Sequence, residues 1–230
     1  MADMPKTRMP FCGRRRKSRP GRDIGRKEPV MIEILAEDLK KLGYRVSCFA
    51  TAAEAAACLD AQIDGQSVGF GGSVTLEQMG LYERLGRHNT VFWHQGVADK
   101  EQSRQLRMRA GQADIYLSSV NGLAETGEIV NIDGTCNRVA SIFYGHRKVY
   151  LVVGKNKIAG DYEGALYRAR NRAAPLNAKR LGAATPCAAR AEKFHDCKSP
   201  ARICRGLSVL WEAPLTGEYE VILINEDLGY

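Results

Sequence analysis

The chain has 230 residues, 44% of them apolar, which suits one α/β domain with a small extension. It contains no apolar run of the roughly 18 residues that a membrane helix needs, and no apolar segment near its start of the kind a secretory signal has. Its seven cysteines, an odd number, favour reduced thiols or metal ligands over a disulfide framework, so we expect a cytoplasmic protein.

The net charge of +8 is concentrated in residues 1–27. This basic leader holds ten Lys or Arg against Asp3 and Asp23, whereas the remaining residues hold 24 basic and 24 acidic side chains. We predict that the leader is disordered. It is either an arm for nucleic acid or anionic lipid, or an extension without function, which is the interpretation we favour. For residues 28–230 the charge balance argues against binding to nucleic acid or to a membrane.

After residue 27 the apolar spacing predicts alternating helices and strands. In chain order these are helix 29–42, strand 44–49, helix 52–63, strand 67–70, helix 74–85, strand 90–93, helix 100–110, strands 115–117, 128–132 and 149–153, helix 162–174 and strand 219–224. Gly43 ends the first helix, and Pro175 is expected to break the helix that precedes it. The alternation implies a parallel sheet with helices on both faces.

Three β-branched runs between residues 113 and 157 end in polar clusters. They stop at Ser118-Ser119, at Asp133-Gly134-Thr135 and at Gly154-Lys155-Asn156-Lys157. In α/β sheets ligands bind outside the carboxyl ends of the strands, so these clusters are where we expect chemistry.

Several ordered segments of the chain resemble the LUD (lactate utilisation) domain family. They are Gly71-Gly-Ser-Val-Thr-Leu-Glu77, Gly122-Leu-Ala-Glu-Thr-Gly-Glu-Ile-Val-Asn-Ile-Asp-Gly134, Asn137-Arg-Val-Ala140, Val153-Gly-Lys-Asn-Lys157, Arg170 to Leu181 and Asn225 to Tyr230. The resemblance covers residues 28–230. It implies an α/β three-layer sandwich with a mainly parallel sheet, the fold shared by ribose-5-phosphate isomerase, glucosamine-6-phosphate deaminase and CoA transferases.

The loop Gly71, Gly72, Ser73 and Thr75 lies between a predicted strand and a predicted helix. Glycines let the backbone approach a ligand, and a helix start favours an anion. Alternatively, Ser73 or Thr75 serves only as an N-cap. The resemblance favours a ligand, because the analogous loop contacts substrate in the related isomerases and transferases. Glu77 is either a carboxylate that faces the pocket, with a catalytic role, or a residue that complements the helix dipole.

The second group of candidates follows the strands at 128–132 and 149–153. Asp133 is the best candidate for an acid–base or substrate-hydroxyl contact, with helix capping as the alternative. Arg138 binds a carboxylate or phosphate, or pairs with Glu125 or Glu128. The residues expected to complete a pocket for a small anion are Gly134, Asn137, Lys155, Asn156, Lys157, Asn171, Asn177 and Lys179, with Arg170 beside them. Family members resembling this chain have Gly at the position of Cys136.

Cys187, Cys197 and Cys204 lie in a predicted loop over 185–206. Three thiols can bind zinc or part of an iron–sulfur cluster, although the spacing C-x9-C-x6-C matches no short chelating motif. The family has a further Cys at the position of Phe194, so free or buried thiols are the interpretation we favour. His94 follows a predicted strand and either faces the pocket or lies in an exposed loop, which is the interpretation we favour.

The sequence has no Walker loop, GxGxxG, HExxH or GxSxG motif. The resemblance implies a member or accessory of an L-lactate to pyruvate oxidation system, with a small anionic metabolite as ligand and an iron–sulfur protein as redox partner. One alternative is an enzyme for a sugar phosphate or CoA ester, with Asp133 as base. Another is a non-catalytic scaffold whose Cys loop docks the redox partner. The oligomeric state stays open, a homodimer included.

Overall fold

The computed structural model describes residues 28–191 and 193–230. The predicted basic leader, residues 1–27, lies outside the described residues. The strands are β1 Arg45–Phe49, β2 Ser67–Phe70, β3 Thr90–Phe92, β4 Ile115–Ser119, β5 Gly122–Ala124, β6 Ile129–Asp133, β7 Lys148–Gly154, β8 Ile158–Ala159, β9 Gly206–Leu210 and β10 Glu218–Ile224. The α-helices are α1 Glu28–Lys41, α2 Ala52–Gln62, α3 Val74–Gln78, α4 Leu81–Leu85, α5 Lys100–Ala110, α6 Asn137–Phe143, α7 Tyr162–Arg168, α8 Ala174–Arg180 and α9 Pro186–Arg190.

Six strands form a fully parallel sheet in the order β1-β10-β7-β4-β2-β3. Side chains alternate across it, as the period of a strand requires. In β7, for example, Val149, Leu151 and Val153 pack on one face, with α1, α5 and α6. Tyr150 and Val152 pack on the other face, with α2, α3 and α4. The predicted three-layer α/β fold is confirmed.

A second, smaller sheet has the order β8-β5-β6-β9. The predicted strand over 128–132 is present as β6, but it pairs antiparallel with β5 and β9 rather than joining the parallel sheet. Its buried face, including Val130, packs against Ala165 of α7 and against Ala169, which follows α7 directly. The sheet is thus a separate layer beside the carboxyl end of the main one.

Two predicted helices differ from the structure. The helix predicted over 74–85 is divided into α3 and α4 at Gly80, whose φ of 61° lies in the left-handed region. Pro175 does not end a helix, because a π-helical segment, Ala169–Ala173, joins α7 to α8. Pro175 then lies in the first turn of α8, where a missing N–H is tolerated. Within the described residues, no helix is both long and apolar enough to cross a membrane.

Parallel strands bring their carboxyl ends to one edge of the sheet. The segments that follow β2, β4 and β7 therefore meet there, and β6 of the small sheet ends close to them. The C-terminal residues 225–230, which follow β10, return to the same edge. These five chain segments line a cavity, together with residues 94–96 after β3, residues 173–181 around α8 and residues 203–204.

Candidate functional site

The cavity at this edge has a volume of about 390 Å³. Its wall contains nine of the residues predicted from the sequence, namely Gly72, Ser73, Thr75, Asp133, Gly134, Asn137, Arg138, Lys157 and Asn177. The structure thus brings together residues that are more than 100 positions apart in the chain.

Six other predicted residues do not line the cavity, namely Gly71, Glu77, Lys155, Asn156, Asn171 and Lys179. The Glu77 carboxylate accepts a hydrogen bond of 2.6 Å from Gln95 Nε2. Asn156 Oδ1 accepts from the Leu228 backbone N–H at 3.1 Å, which ties the C-terminal segment to the site. Through these contacts Glu77 and Asn156 support neighbouring parts of the protein rather than contact a ligand.

The glycine loop serves packing and capping. A Cβ added to Gly71 would lie 3.0 Å from Arg138 Cγ and Cδ, so the missing side chain makes room for this arginine. Ser73 is the N-cap of the five-residue helix α3, and its Oγ accepts from Leu76 N–H at 3.3 Å. The Ser73 N–H is itself bonded to Gln95 Oε1 at 3.2 Å. The contacts of Ser73 are therefore those of an N-cap residue, which was one of the two interpretations of this loop.

Asp133 faces the cavity but its carboxylate is committed to the backbone. Oδ1 accepts from the N–H groups of Thr135 and Cys136 at 3.2 and 3.1 Å, and Oδ2 accepts from Val139 N–H at 3.2 Å. Arg138 Nε lies 3.8 Å from Oδ2. These contacts hold the start of α6 in place, as the capping alternative predicts. The acid–base role of Asp133 stays a prediction that they do not favour.

Arg138 is the centre of a complete hydrogen-bond network. Its Nη1 donates to the Ser119 carbonyl at 3.1 Å and to Asn131 Oδ1 at 2.7 Å. Its Nη2 donates to Asn121 Oδ1 at 3.2 Å and to the Ile132 carbonyl at 2.8 Å. All four N–H bonds of the two terminal nitrogens are thus used within the protein. A ligand anion would have to break part of this network to bind the guanidinium directly.

The ion-pair partner of Arg138 also differs from the sequence prediction. It is Asp133, the last residue of β6, and not Glu125 or Glu128. Burial lowers the pKa of Arg138, which Asp133 opposes, and an arginine stays charged throughout the physiological range. The network therefore joins β4, β6 and α6 around a buried charge that has a partner.

Lys157 has a different environment. It ends a short 3₁₀-helix, Lys155–Lys157, directly after β7, and only 3% of it is exposed. Its Nζ donates to Thr75 Oγ1 and to Ser119 Oγ, each at 2.7 Å. Within the described residues no carboxylate pairs with it. The 3₁₀ turn is fixed by Arg168, whose Nε donates to the Asn156 carbonyl at 2.7 Å.

The electrostatics of the site follow from this burial. Burial, together with the smaller effect of the positive charges of Arg168 and Arg138, lowers the pKa of Lys157 to about 7. The ammonium and the amine are therefore both populated near neutral pH. This is the perturbation expected of a functional group in a cavity.

The cavity wall also contains residues outside the predicted site. His94, expected in an exposed loop, lines the cavity, and burial lowers its pKa, as does the charge of Arg107. Its Nδ1 is buried and has no hydrogen-bond partner within the described residues. Tyr230 and Arg180 also line the cavity, and Tyr230 OH bonds both Arg180 Nε and Asn177 Oδ1. A loop histidine and a C-terminal tyrosine carry no local sequence signal for this position.

The three cysteines of the predicted metal site do not come together. Cys187 is buried against Ala178 and Ala188, whereas Cys204 lines the cavity. Within residues 28–191 and 193–230 no group of three or more His, Cys, Asp or Glu side chains is placed to hold a metal ion. The described residues therefore provide no ligand set for the predicted zinc or iron–sulfur site. Phe194 instead lies beneath the guanidinium of Arg170, 4.6 Å from its ring centre.

The fold and the cavity define a three-layer α/β protein with a partly cationic site at the carboxyl edge of its sheet. A sequence model of the LUD domain matches residues 32–224, so the chain belongs to the LUD domain family, which is associated with lactate utilisation. Among curated proteins, none matches the sequence.

One solved structure with a similar fold is the crystal structure, at 1.70 Å resolution, of a DUF162 family protein from Deinococcus radiodurans. The TM-score is 0.50 at 12% sequence identity, and the match covers 86% of this chain and 99% of that one. At this identity the likeness shows the shared fold.

Proposed function

We propose that the cavity binds a small carboxylate metabolite, and that the chain is a component of an L-lactate to pyruvate oxidation system in the cytoplasm. The observation that carries this proposal is Lys157, a buried cationic group in the cavity wall that has hydroxyl partners but, among the described residues, no carboxylate partner. A buried charge without an opposite charge is costly, and an anionic ligand would supply the missing partner.

The remainder of the wall is consistent with a negatively charged ligand. The charge of Arg138 is opposed by Asp133, whereas the hydrogen-bond partners of Arg180 within the part of the chain that the structure describes are the neutral groups of Asn177 and Tyr230. Cavities of about 300 Å³ and above are the usual size for small-molecule sites. The family association with lactate utilisation makes L-lactate and pyruvate the first ligands to test.

Oxidation of lactate releases two electrons, and the sequence contains no flavin or nicotinamide motif. We therefore propose that an iron–sulfur protein accepts the electrons, and that this chain holds the metabolite for its partner. The alternative of a sugar-phosphate or CoA-ester enzyme with Asp133 as base has less support, because three backbone N–H groups already occupy the Asp133 carboxylate.

A thermal-shift panel with L-lactate, pyruvate, ribose 5-phosphate and CoA tests this proposal. The two carboxylates should raise the melting temperature of the wild type, and Lys157→Met should abolish the shift. Lys100→Met, which removes an exposed lysine at the start of α5, should behave as the wild type. A shift with the sugar phosphate or CoA alone would contradict the proposal. An undiminished response to L-lactate in Lys157→Met would contradict the role of Lys157.

The affinity should also depend on pH. The protonated form of Lys157 binds the anion, so affinity is highest below its pKa of about 7 and falls as the pH rises through that value. The dissociation constant for L-lactate should rise about tenfold for each pH unit above the pKa. Calorimetric titration between about pH 6 and about pH 8.5 measures this.

A further inference from the structure

We propose that Lys157 is a nucleophile, and that its Nζ forms an imine with the carbonyl carbon of a 2-oxo acid bound in the cavity. The inference rests on the proposed function, because the ligand occupies the same cavity. It goes beyond that function because it assigns a covalent step to a particular side chain. It also distinguishes a 2-oxo acid from a 2-hydroxy acid, which has no carbonyl carbon next to its carboxylate.

The first step of the argument is the geometry around Nζ. A lysine nitrogen has four tetrahedral positions, one of which is its bond to Cε. Two of the remaining three point to Thr75 Oγ1 and Ser119 Oγ, each 2.7 Å away. One tetrahedral position of Nζ therefore has no hydrogen-bond partner among the described residues. Because Lys157 is part of the cavity wall, this position is the one we assign to a ligand.

The two hydroxyl groups have fixed roles as acceptors. Thr75 Oγ1 donates its own proton to the Leu228 carbonyl at 3.3 Å, and Ser119 Oγ donates to the Val152 carbonyl at 2.6 Å. Because each hydroxyl has one proton, both must accept from Nζ. Two N–H bonds of Lys157 are therefore directed at these oxygens. In the neutral amine the fourth position is then the lone pair.

The surroundings keep this lone pair available. No carboxylate among the described residues pairs with Lys157, so no ion pair holds the ammonium form. The position is buried and close to the positive charges of Arg168 and Arg138, which favour the amine. Desolvation beside other cations is a known way to activate a lysine towards carbonyl compounds.

The proposed step is balanced without any oxidant or reductant. The Nζ lone pair forms a bond to the carbonyl carbon while the π electrons move to oxygen, which gives a carbinolamine. One proton passes from nitrogen to this oxygen. The resulting hydroxyl takes up a second proton and leaves as water while the nitrogen lone pair forms the C=N bond, and nitrogen gives up its remaining proton, so that both amine protons end in the water. The Thr75 and Ser119 hydroxyls accept hydrogen bonds from Nζ and so hold the nitrogen in place during the attack.

Reductive trapping tests the inference. The full chain is incubated with pyruvate and sodium cyanoborohydride, and the products are analysed by intact mass and peptide mapping. We expect one reduced pyruvate adduct on the peptide that contains Lys157. Omission of the reductant, or replacement of pyruvate by L-lactate, should give no adduct. Lys157→Met should lose the adduct, and Lys100→Met should keep it.

The same samples separate failure of this inference from failure of the proposed function. Thermal shifts with L-lactate and pyruvate but no adduct would overturn the imine and leave the binding function standing. Adducts spread over exposed lysines, or an unchanged adduct in Lys157→Met, would also overturn it. No shift and no adduct would overturn both.

The pH dependence provides a second readout. The rate of trapping at saturating pyruvate should rise as the pH increases through about 7, because the free amine is the reactive form. The affinity for L-lactate should fall over the same range. Lys157→Arg, which keeps a positive charge but cannot form an imine, should retain a response to L-lactate and give no adduct. A trapping rate that does not change with pH would contradict the assignment.

Discussion

Arg138, whose side chain is 11% exposed, and Lys157, which is 3% exposed, are two cations in the wall of one cavity that differ in how completely protein groups partner them. The terminal nitrogens of Arg138 have a protein acceptor for every N–H, and Asp133 lies close to the guanidinium. Lys157 has two hydroxyl partners, one unfilled position and no carboxylate among the described residues. A cation whose N–H groups all have protein acceptors stabilises the fold, whereas a cation with one unpartnered position is suited to binding a ligand.

The largest expected effect is the loss of stability that follows when the hydrogen-bond network around Arg138 is removed. Arg138→Met would leave two asparagine side-chain oxygens and two backbone carbonyls without their donor, and Asp133 without its counter-charge. Breaking such a buried network costs about 3–5 kcal/mol. Urea unfolding should show this loss in the free energy of unfolding. Arg104→Met, which removes an exposed ion pair on α5, should change it by less than about 0.5 kcal/mol.

The second prediction concerns the effect of pH on Lys157. Its folded pKa of about 7 lies below the ordinary value of 10.5, so between these values the unfolded chain binds more protons and stability rises with pH. At lower pH the full cost of burying the ammonium is present. The free energy of unfolding of the wild type, relative to Lys157→Met, should increase by about 2 kcal/mol between about pH 7 and about pH 9. A difference that stays constant with pH would show that Lys157 titrates normally.

The third prediction sharpens the role of the C-terminal segment. Gly229 has a φ of 60°, and a Cβ there would lie 2.6 Å from Thr75 Oγ1 and 3.3 Å from Lys157 Nζ. Gly229→Ala should cost about 1–2 kcal/mol and displace the hydroxyl that orients Nζ. It should therefore weaken L-lactate binding as well as stability. Gly160→Ala, where a Cβ would meet nothing within 4 Å, is the matched control and should change neither.

The smallest expected effect concerns Cys136, which precedes α6 with a φ of 63°. Cys136→Gly relieves this left-handed conformation but makes the unfolded chain more flexible, so we expect stabilisation of only about 0.5 kcal/mol. Cys136→Ala keeps the strain and removes the thiol. If both variants changed the melting temperature equally, the backbone conformation would not be the cause.

Much of the fold was predictable because strand periodicity is strong where both faces of a sheet are covered. The runs that became β4, β7 and β10 are nearly continuous apolar segments of this kind. The small sheet was not predictable, since β5 and β8 have three and two residues and are formed by tertiary pairing. Pro175 was misleading because the π-helical segment before it has no recognisable sequence signal.

The candidate site, like the fold, has features that the sequence predicted and features that it did not. That polar segments after the strands would meet followed from parallel topology, and nine predicted residues line the cavity. Which of Lys155 and Lys157 enters the wall depends on the 3₁₀ turn, which sequence spacing alone does not reveal. Likewise, the sequence indicates Asp133 as a candidate base, but it does not reveal the three backbone N–H groups that donate to the carboxylate.

The most direct test is an NMR titration of the Lys157 side chain in protein labelled with ¹³C at lysine Cε, with Lys157→Met used to assign the signal. We predict a pKa of about 7 without ligand, and a higher pKa when L-lactate, an anion that cannot form an imine, is bound. A pKa near the ordinary value of 10.5 that does not move with L-lactate would contradict the view that Lys157 is the incompletely partnered cation of a ligand site.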